Sequence, residues 1–259
     1  MEGIFLIHHM KRSGGHAVIN WLKQNAQRAI FINNAIPIQK ILEGRRANSG
    51  TLPPYENWLR QKQRDPQLAA AIAKAATVLV SLEDHEIGVR PFDHPATRVV
   101  LVVRQPNNLF ASRIRRASST GLWAYSLDRP DLLRRTIRIW KGHARAALGL
   151  DNAGPLKTIF YDAWLIGKGY RARLARDFDF SMPHEPSGEL TREGDGSSFG
   201  AKRVDPTDLL RREKFLSEPE KRVLTNIMAD PEMTELADQM AAKVEQLLAP
   251  ASPTTSKRG

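Results

Sequence analysis

A short apolar run leads straight into a basic, glycine-bearing turn and then a helix: Ile4-Phe5-Leu6-Ile7-His8-His9, Met10-Lys11-Arg12-Ser13-Gly14-Gly15-His16, and Ala17-Val18-Ile19-Asn20-Trp21-Leu22. This order constrains the fold because a strand that turns tightly into a helix starts an α/β unit and builds an anion site from backbone. Glycines allow the sharp turn, and the first N–H groups of the helix have no intrahelical partners. Those groups and the helix dipole favour negative charge above the turn, where Lys11, Arg12 and the Ser13 hydroxyl could join them. A tight turn with two exposed cations is the plainer alternative. A Walker A loop is excluded, since it places Lys and a hydroxyl after the glycines. The one Gly-Lys pair, Gly167-Lys168, has Asp162 where the upstream glycine belongs and no hydroxyl following it.

A second segment points the same way. Thr97-Arg98-Val99-Val100-Leu101-Val102-Val103 is an unbroken β-branched run, as expected for a strand covered on both faces of a parallel sheet. It leads into Arg104-Gln105-Pro106, and Pro106 suits the first turn of a helix. Arg104 then stands at the carboxyl end of the strand, where open α/β sheets collect ligands, and Ser112 lies in the second turn of the following helix. An arginine fork with a hydroxyl suits a phosphate; the alternative is an Arg at a sheet edge and a Ser on a solvated face.

Together these segments resemble the sulfotransferases that use 3′-phosphoadenosine 5′-phosphosulfate (PAPS). In that family a turn reading Lys or Arg, Ser, Gly and two hydroxyl residues holds the 5′-phosphosulfate, and Arg12-Ser13-Gly14 fits it. A later strand ending in Arg, an acidic residue or Asn, then Pro, with a Ser eight residues after the Arg, holds the 3′-phosphate. Arg104, Pro106 and Ser112 fit in type and spacing. Lys157-Thr158-Ile159-Phe160-Tyr161-Asp162 is similar to the family's fifth-strand region, whose Tyr lies against the adenine, and Ser197-Ser198-Phe199 to a stretch that also lines it. The resemblance covers about Ile4 to Phe199. The chain departs from the pattern at Gly15 and His16, which replace the turn hydroxyls, and at Gln105. The basic closing loop has no clear copy, with Lys202, Arg203, Arg211 and Arg212 competing for its role.

The resemblance implies a three-layer α/β/α fold with a central parallel sheet, the P-loop-like sulfotransferase fold. It also implies PAPS as donor co-substrate, with Lys11, Arg12, Ser13, Gly14, Gly15, His16, Arg104, Ser112, Tyr161, Ser197, Ser198, Phe199, Lys202 and Arg203 around it. Arg12 takes the place of the family's catalytic cation. The base on the acceptor hydroxyl is expected after the strand Thr77–Leu82, where Glu83, Asp84 and His85 follow in turn; Glu83 and His85 both remain candidates, with Asp84 behind them. Arg in the first turn and Glu83 as a possible base point to a carbohydrate or glycolipid acceptor. No metal is expected, because adjacent His8 and His9 on a strand face opposite sides.

Strands are predicted near 3–8, 29–32, 77–82, 98–103 and 156–160. Helices are predicted near 15–27, 66–75, 106–117, 129–148 and 165–176, with three more over 206–248. This alternation predicts one α/β domain over residues 1–249, long enough for a full core, followed by a disordered tail at 250–259. Residues 34–64 read as a mobile insertion over the acceptor site, and 182–204 as a loop covering the nucleotide. Trp21, Leu109, Phe110, Ile114 and Trp140 read as core.

The net charge is +11, much of it between Arg113 and Lys141. A bis-anionic nucleotide explains such a field; a nucleic-acid-binding protein is the rival from another class, though few aromatic residues interleave with these cations. A P-loop-type kinase and a non-catalytic nucleotide-binding relative are further alternatives. Cysteine is absent, which permits a cytoplasmic home, and no apolar stretch approaches the roughly 20 residues that cross a bilayer; beside the membrane-anchored Golgi members of the resembled family, the resemblance then implies a cytoplasmic, bacterial-type enzyme. Nucleic acid is not an expected partner, and the sequence leaves the acceptor and oligomeric state open.

Overall fold

The computed structural model describes residues 3–35, 54–62, 66–120, 129–180, 184–186 and 206–250. Five strands form one sheet: β1 (Gly3–His9), β2 (Ala29–Ile32), β3 (Thr77–Glu83), β4 (Thr97–Val103) and β5 (Lys157–Phe160). Their order is β2-β3-β1-β4-β5, and every pairing is parallel. The β-branched and apolar runs of β1, β3 and β4 are buried on both faces, as strands covered by helices must be. Alternation along β1 sorts the core. Phe5 and Ile7 join a large cluster with Trp21, Val100, Val102 and Trp140, while Ile4 and Leu6 join a smaller one with Val78, Val80, Tyr55 and Trp58.

The helices are α1 (Gly15–Asn25), α2 (Tyr55–Lys62), α3 (Pro66–Lys74), α4 (Pro106–Thr120), α5 (Pro130–Leu148), α6 (Tyr161–Ile166), α7 (Lys168–Asp177), α8 (Pro206–Leu209), α9 (Glu218–Met228) and α10 (Pro231–Leu248). A 3-10 turn spans Arg212–Phe215. Local chemistry sets several boundaries. Ser217 and Glu220 form a capping box on α9, and the Asp230 carboxylate caps α10 just before Pro231. Gly149 ends α5 in the left-handed conformation that glycine adopts without steric penalty.

The expected strands all form, and most helices fall within a few residues of expectation. Two expectations need correction. The segment expected near 165–176 is two helices, α6 and α7, divided at Gly167, where a Cβ would come within 2.6 Å of the Leu248 side chain. Part of the expected mobile insertion is ordered: α2 lies inside it, with Tyr55 and Trp58 packed on Phe92 at ring-centroid distances of 4.9 and 4.7 Å. Residues 36–53 and 63–64 of that insertion, the 187–204 stretch and the tail from 251 lie outside the described residues. No helix among the described residues is long and apolar enough to cross a membrane.

Trp140 ties a helix to the carboxyl end of the sheet, for its buried indole N–H donates to the Arg104 carbonyl at 3.1 Å. Truncation removes a fully packed aromatic and leaves that carbonyl without its donor. Trp140→Ala is expected to destabilise by about 3–5 kcal/mol, and Trp140→Phe by about 1–3 kcal/mol, in denaturant unfolding.

Candidate active site

The turn joining β1 to α1 is built around two left-handed residues, Arg12 (φ 71°) and Gly14 (φ 84°). Both glycines are required by close approach. A Cβ on Gly14 would fall 2.0 Å from the Tyr161 ring, and one on Gly15 would fall 2.3 Å from His9 Nδ1. Tyr161 therefore packs directly against the turn, with the Arg104 guanidinium 4.9 Å from its ring centroid. The Ser13 hydroxyl is buried with no hydrogen-bond partner, which leaves it free to meet a ligand oxygen.

Buried arginines hold the turn from beneath. Arg104 donates to the Arg12 carbonyl at 3.0 Å, and Arg113 donates to the Lys11 carbonyl at 3.2 Å. Asp84 accepts from the Lys11 N–H at 3.0 Å and from Arg113 at 2.9 Å. Burial alone would raise the Asp84 carboxyl; Arg113 and Lys11 outweigh it and hold the group below the usual carboxylate range. Asp84 is thus part of the scaffold rather than a free base.

Arg12 meets Ser112, although the sequence separates them by a hundred residues, and Arg104 meets the Arg12 backbone. The Ser112 hydroxyl accepts from Arg12 Nε at 3.2 Å and from a terminal nitrogen of Arg212 at 2.8 Å. Arg212 belongs to the site and was only one of several candidates for the closing loop in sequence. Asn108 fixes it there, accepting from the Arg212 N–H at 3.0 Å and donating to the Leu210 carbonyl at 2.8 Å, while Arg104 donates to the Leu209 carbonyl. Burial, then Arg104 and Arg12 against an opposing Tyr161, push the Arg212 guanidinium down to about 9, still charged at neutral pH. Asp162, which sequence reasoning also missed, accepts from the Gln105 N–H at 2.8 Å and lies 4.0 Å from Arg104 Nε. Asn108 and Asp162 carried no signal in the chain, because their partners are distant in sequence.

On the other side of the turn, His16 Nε2 lies 3.1 Å from Glu83 Oε1. Burial would raise the Glu83 carboxyl, but His16, His9 and Lys11 overcome it and keep the group low, as a carboxylate. His9 stands opposite Glu83 in the parallel register of β1 and β3. The other candidate base is placed differently. Asp84 has φ 56°, which breaks the strand's alternation and sends His85 inward. His85 is fully buried; its carbonyl faces His143 Nε2 at 2.8 Å, and its side chain lies near His8 and His143. Ser197, Ser198, Phe199, Lys202 and Arg203 lie outside the described residues.

By sequence, no family model and no curated protein matches the chain. Among solved structures, the sulfotransferase domain of the Synechococcus PCC 7002 olefin synthase aligns with a TM-score of 0.50 and 14% identity, covering 92% of this chain and 94% of that one. A sulfotransferase from Alicyclobacillus acidocaldarius aligns at 0.47 and 12% identity, covering 88% and 96%. Mouse sulfotransferase SULT7A1, solved with PAP, aligns at 0.45 and 13%, covering 93% and 90%. The first of these likenesses establishes the fold: this chain has the three-layer sulfotransferase fold, with its strand–turn–helix and its Arg104 strand end at the carboxyl edge of the sheet.

The buried Asp84–Arg113 pair sets a pH dependence. The Asp84 carboxyl is depressed in the folded state, so its contribution to stability is present above the unfolded carboxyl value, about 4, and is lost as pH falls through the folded value. Asp84→Asn keeps the side chain's shape and its tolerance of positive φ but leaves Arg113 without its counter-charge. It is expected to destabilise by about 3–5 kcal/mol at neutral pH and to flatten the acid limb of the unfolding profile followed by circular dichroism.

Proposed function

We propose that this protein is a PAPS-dependent sulfotransferase, moving a sulfuryl group to an acceptor hydroxyl. One observation carries the reading: the buried Ser112 hydroxyl accepts from both Arg12 and Arg212, with Arg104 near enough to push the Arg212 guanidinium down. Asp162, 4.0 Å from Arg104 Nε, supplies one negative charge; a further anion offsets the remaining repulsion between Arg104 and Arg212, and the 3′-phosphate of the nucleotide supplies it. The Tyr161 ring beside Arg104 offers a flat apolar surface for the adenine, and the α1 N-terminus with the Ser13 hydroxyl suits the 5′-phosphosulfate.

In the proposed reaction the acceptor oxygen attacks sulfur in line. The bond from sulfur to the bridging oxygen of the 5′-phosphate breaks, and 3′-phosphoadenosine 5′-phosphate (PAP) leaves. The acceptor's proton passes to Glu83, directly or through His16. Arg12, with Lys11 as its neighbour, offsets the charge that grows on the bridging oxygen, an interaction stronger in the transition state than in the ground state. Glu83 as base and Arg rather than Lys in the turn favour a carbohydrate or glycolipid hydroxyl as acceptor. The rival reading as a nucleic-acid binder loses ground because several cations between Arg113 and Lys141 are held in ion pairs. Arg113 pairs with Asp84, Arg115 with Glu220, Arg129 with Asp131 and Lys141 with Asp230.

Transfer from sulfur-labelled PAPS to a panel of sugar and lipid alcohols tests the proposal, and no transfer to any of them by a correctly folded chain would contradict it. Arg104→Ala is expected to weaken PAP binding about 10–100-fold, the loss of charge-assisted hydrogen bonds to a phosphate. Arg12→Ala is expected to lower kcat at least tenfold while changing nucleotide affinity less. Equal loss of both would deny Arg12 its transition-state role.

A further inference from the structure

We propose that His9, His16 and Glu83 form a three-ligand site for a divalent transition-metal ion of the zinc class, open at its fourth position. One potential ligand atom from each residue lies within 4.8 Å of the others. Two of them already stand at ligand spacing. Atoms each about 2.0–2.1 Å from one tetrahedral ion sit roughly 3.3 Å apart, and His16 Nε2 and Glu83 Oε1 are separated by 3.1 Å.

The third residue supplies an independent observation. His9 is 1% exposed, and its Nε2 is buried without a hydrogen-bond partner. Its Nδ1 lies 3.3 Å from the Met10 carbonyl. A carbonyl only accepts, so that contact places the proton on Nδ1 and leaves the Nε2 lone pair unused. Metal-bound histidines are commonly oriented in this way, by donating their second ring nitrogen to a backbone carbonyl. The ring's position is fixed as well: Gly15 packs against it where any Cβ would collide, and the parallel register sets His9 opposite Glu83. The His9 and His16 rings stand nearly perpendicular, 80° apart with centroids 5.6 Å from each other.

Two imidazoles and one carboxylate select a zinc-class ion over magnesium, which prefers an all-oxygen octahedron. The side chains of His16 and Glu83 are 17% and 11% exposed, so an ion has a way in and an open side for water or an oxygen ligand. Lys11 is the cation facing Glu83, and Asp84 is the nearby carboxylate that offsets it. An ion held here would occupy the Glu83 lone pair that the transfer reaction uses, so metal binding and proton abstraction are alternative uses of one cluster. The site does not depend on the sulfotransferase reading, because its test reads the metal alone.

The experiment is calorimetric titration of the full chain with Zn2+, with Mg2+ as control, together with the visible spectrum on adding Co2+. The expected result is one saturable Zn2+ equivalent per chain, no comparable Mg2+ binding, and the intense visible absorption of four-coordinate Co2+. His16→Gln changes the most exposed of the three ligands and so is the variant least able to disturb folding. It and Glu83→Gln are each expected to weaken Zn2+ binding at least tenfold with an unchanged far-ultraviolet circular dichroism spectrum. Absence of saturable binding in the wild type, or unchanged affinity in His16→Gln, would overturn the site and leave a hydrogen-bonded histidine–carboxylate cluster.

Discussion

The backbone of one turn depends on buried charge. Arg12 occupies the left-handed region, which a residue with a side chain enters at a penalty of roughly 1–2 kcal/mol. The carbonyls of Arg12 and Lys11 are held by Arg104 and Arg113, and the Lys11 N–H by Asp84. Charge-assisted bonds of this kind contribute about 1.5–3 kcal/mol each, enough to offset the strained conformation. Because Arg104 ends β4, Arg113 lies on α4 and Asp84 follows β3, the turn is fixed by three elements rather than by its own residues.

The same arrangement separates two chemical regions across a few residues of chain. On one side, Ser112 accepts from Arg12 and Arg212, Arg104 has Asp162 beside it, and Asn108 and Arg104 clamp the segment from Leu209 to Arg212. On the other, His9, His16 and Glu83 make a compact cluster of nitrogen and oxygen ligands or bases. His16 follows the two glycines directly, so the residue that replaces a turn hydroxyl of the resembled family is the one that faces Glu83.

Much of this was legible in the chain. The β-branched run at 97–103 and the apolar run at 4–7 are buried parallel strands because no other element accommodates such continuous apolarity so briefly. The helix start at Pro106 was also legible, since proline suits the first turn of a helix. Long-range partners were not legible. Arg212 reaches Ser112, and Asp84 reaches Arg113, only through tertiary packing. His85 looked equivalent to Glu83 because both follow the same strand; the positive φ of Asp84, invisible in the residue types, lies between them, and His85 is fully buried while Glu83 meets His16. His8 and His9 face opposite sides as expected, His8 toward His143 and His9 toward His16, but the second partner that makes His9 chemically interesting comes from the next helix. The helix at Tyr55–Lys62 was hidden by the polar, proline- and glycine-rich residues around it.

The account rests on a pocket tuned to a 3′-phosphate beside a separate 5′-phosphosulfate cradle. Calorimetric binding of PAP, with 5′-AMP and ATP as controls and no added metal, tests it most directly. Preference for PAP by at least tenfold over both controls is predicted, since only PAP places a phosphate beside Arg104 and Arg212 while another sits at the α1 N-terminus. Equal affinity for all three, or no binding of any, would contradict the assignment of these arginines to a nucleotide site.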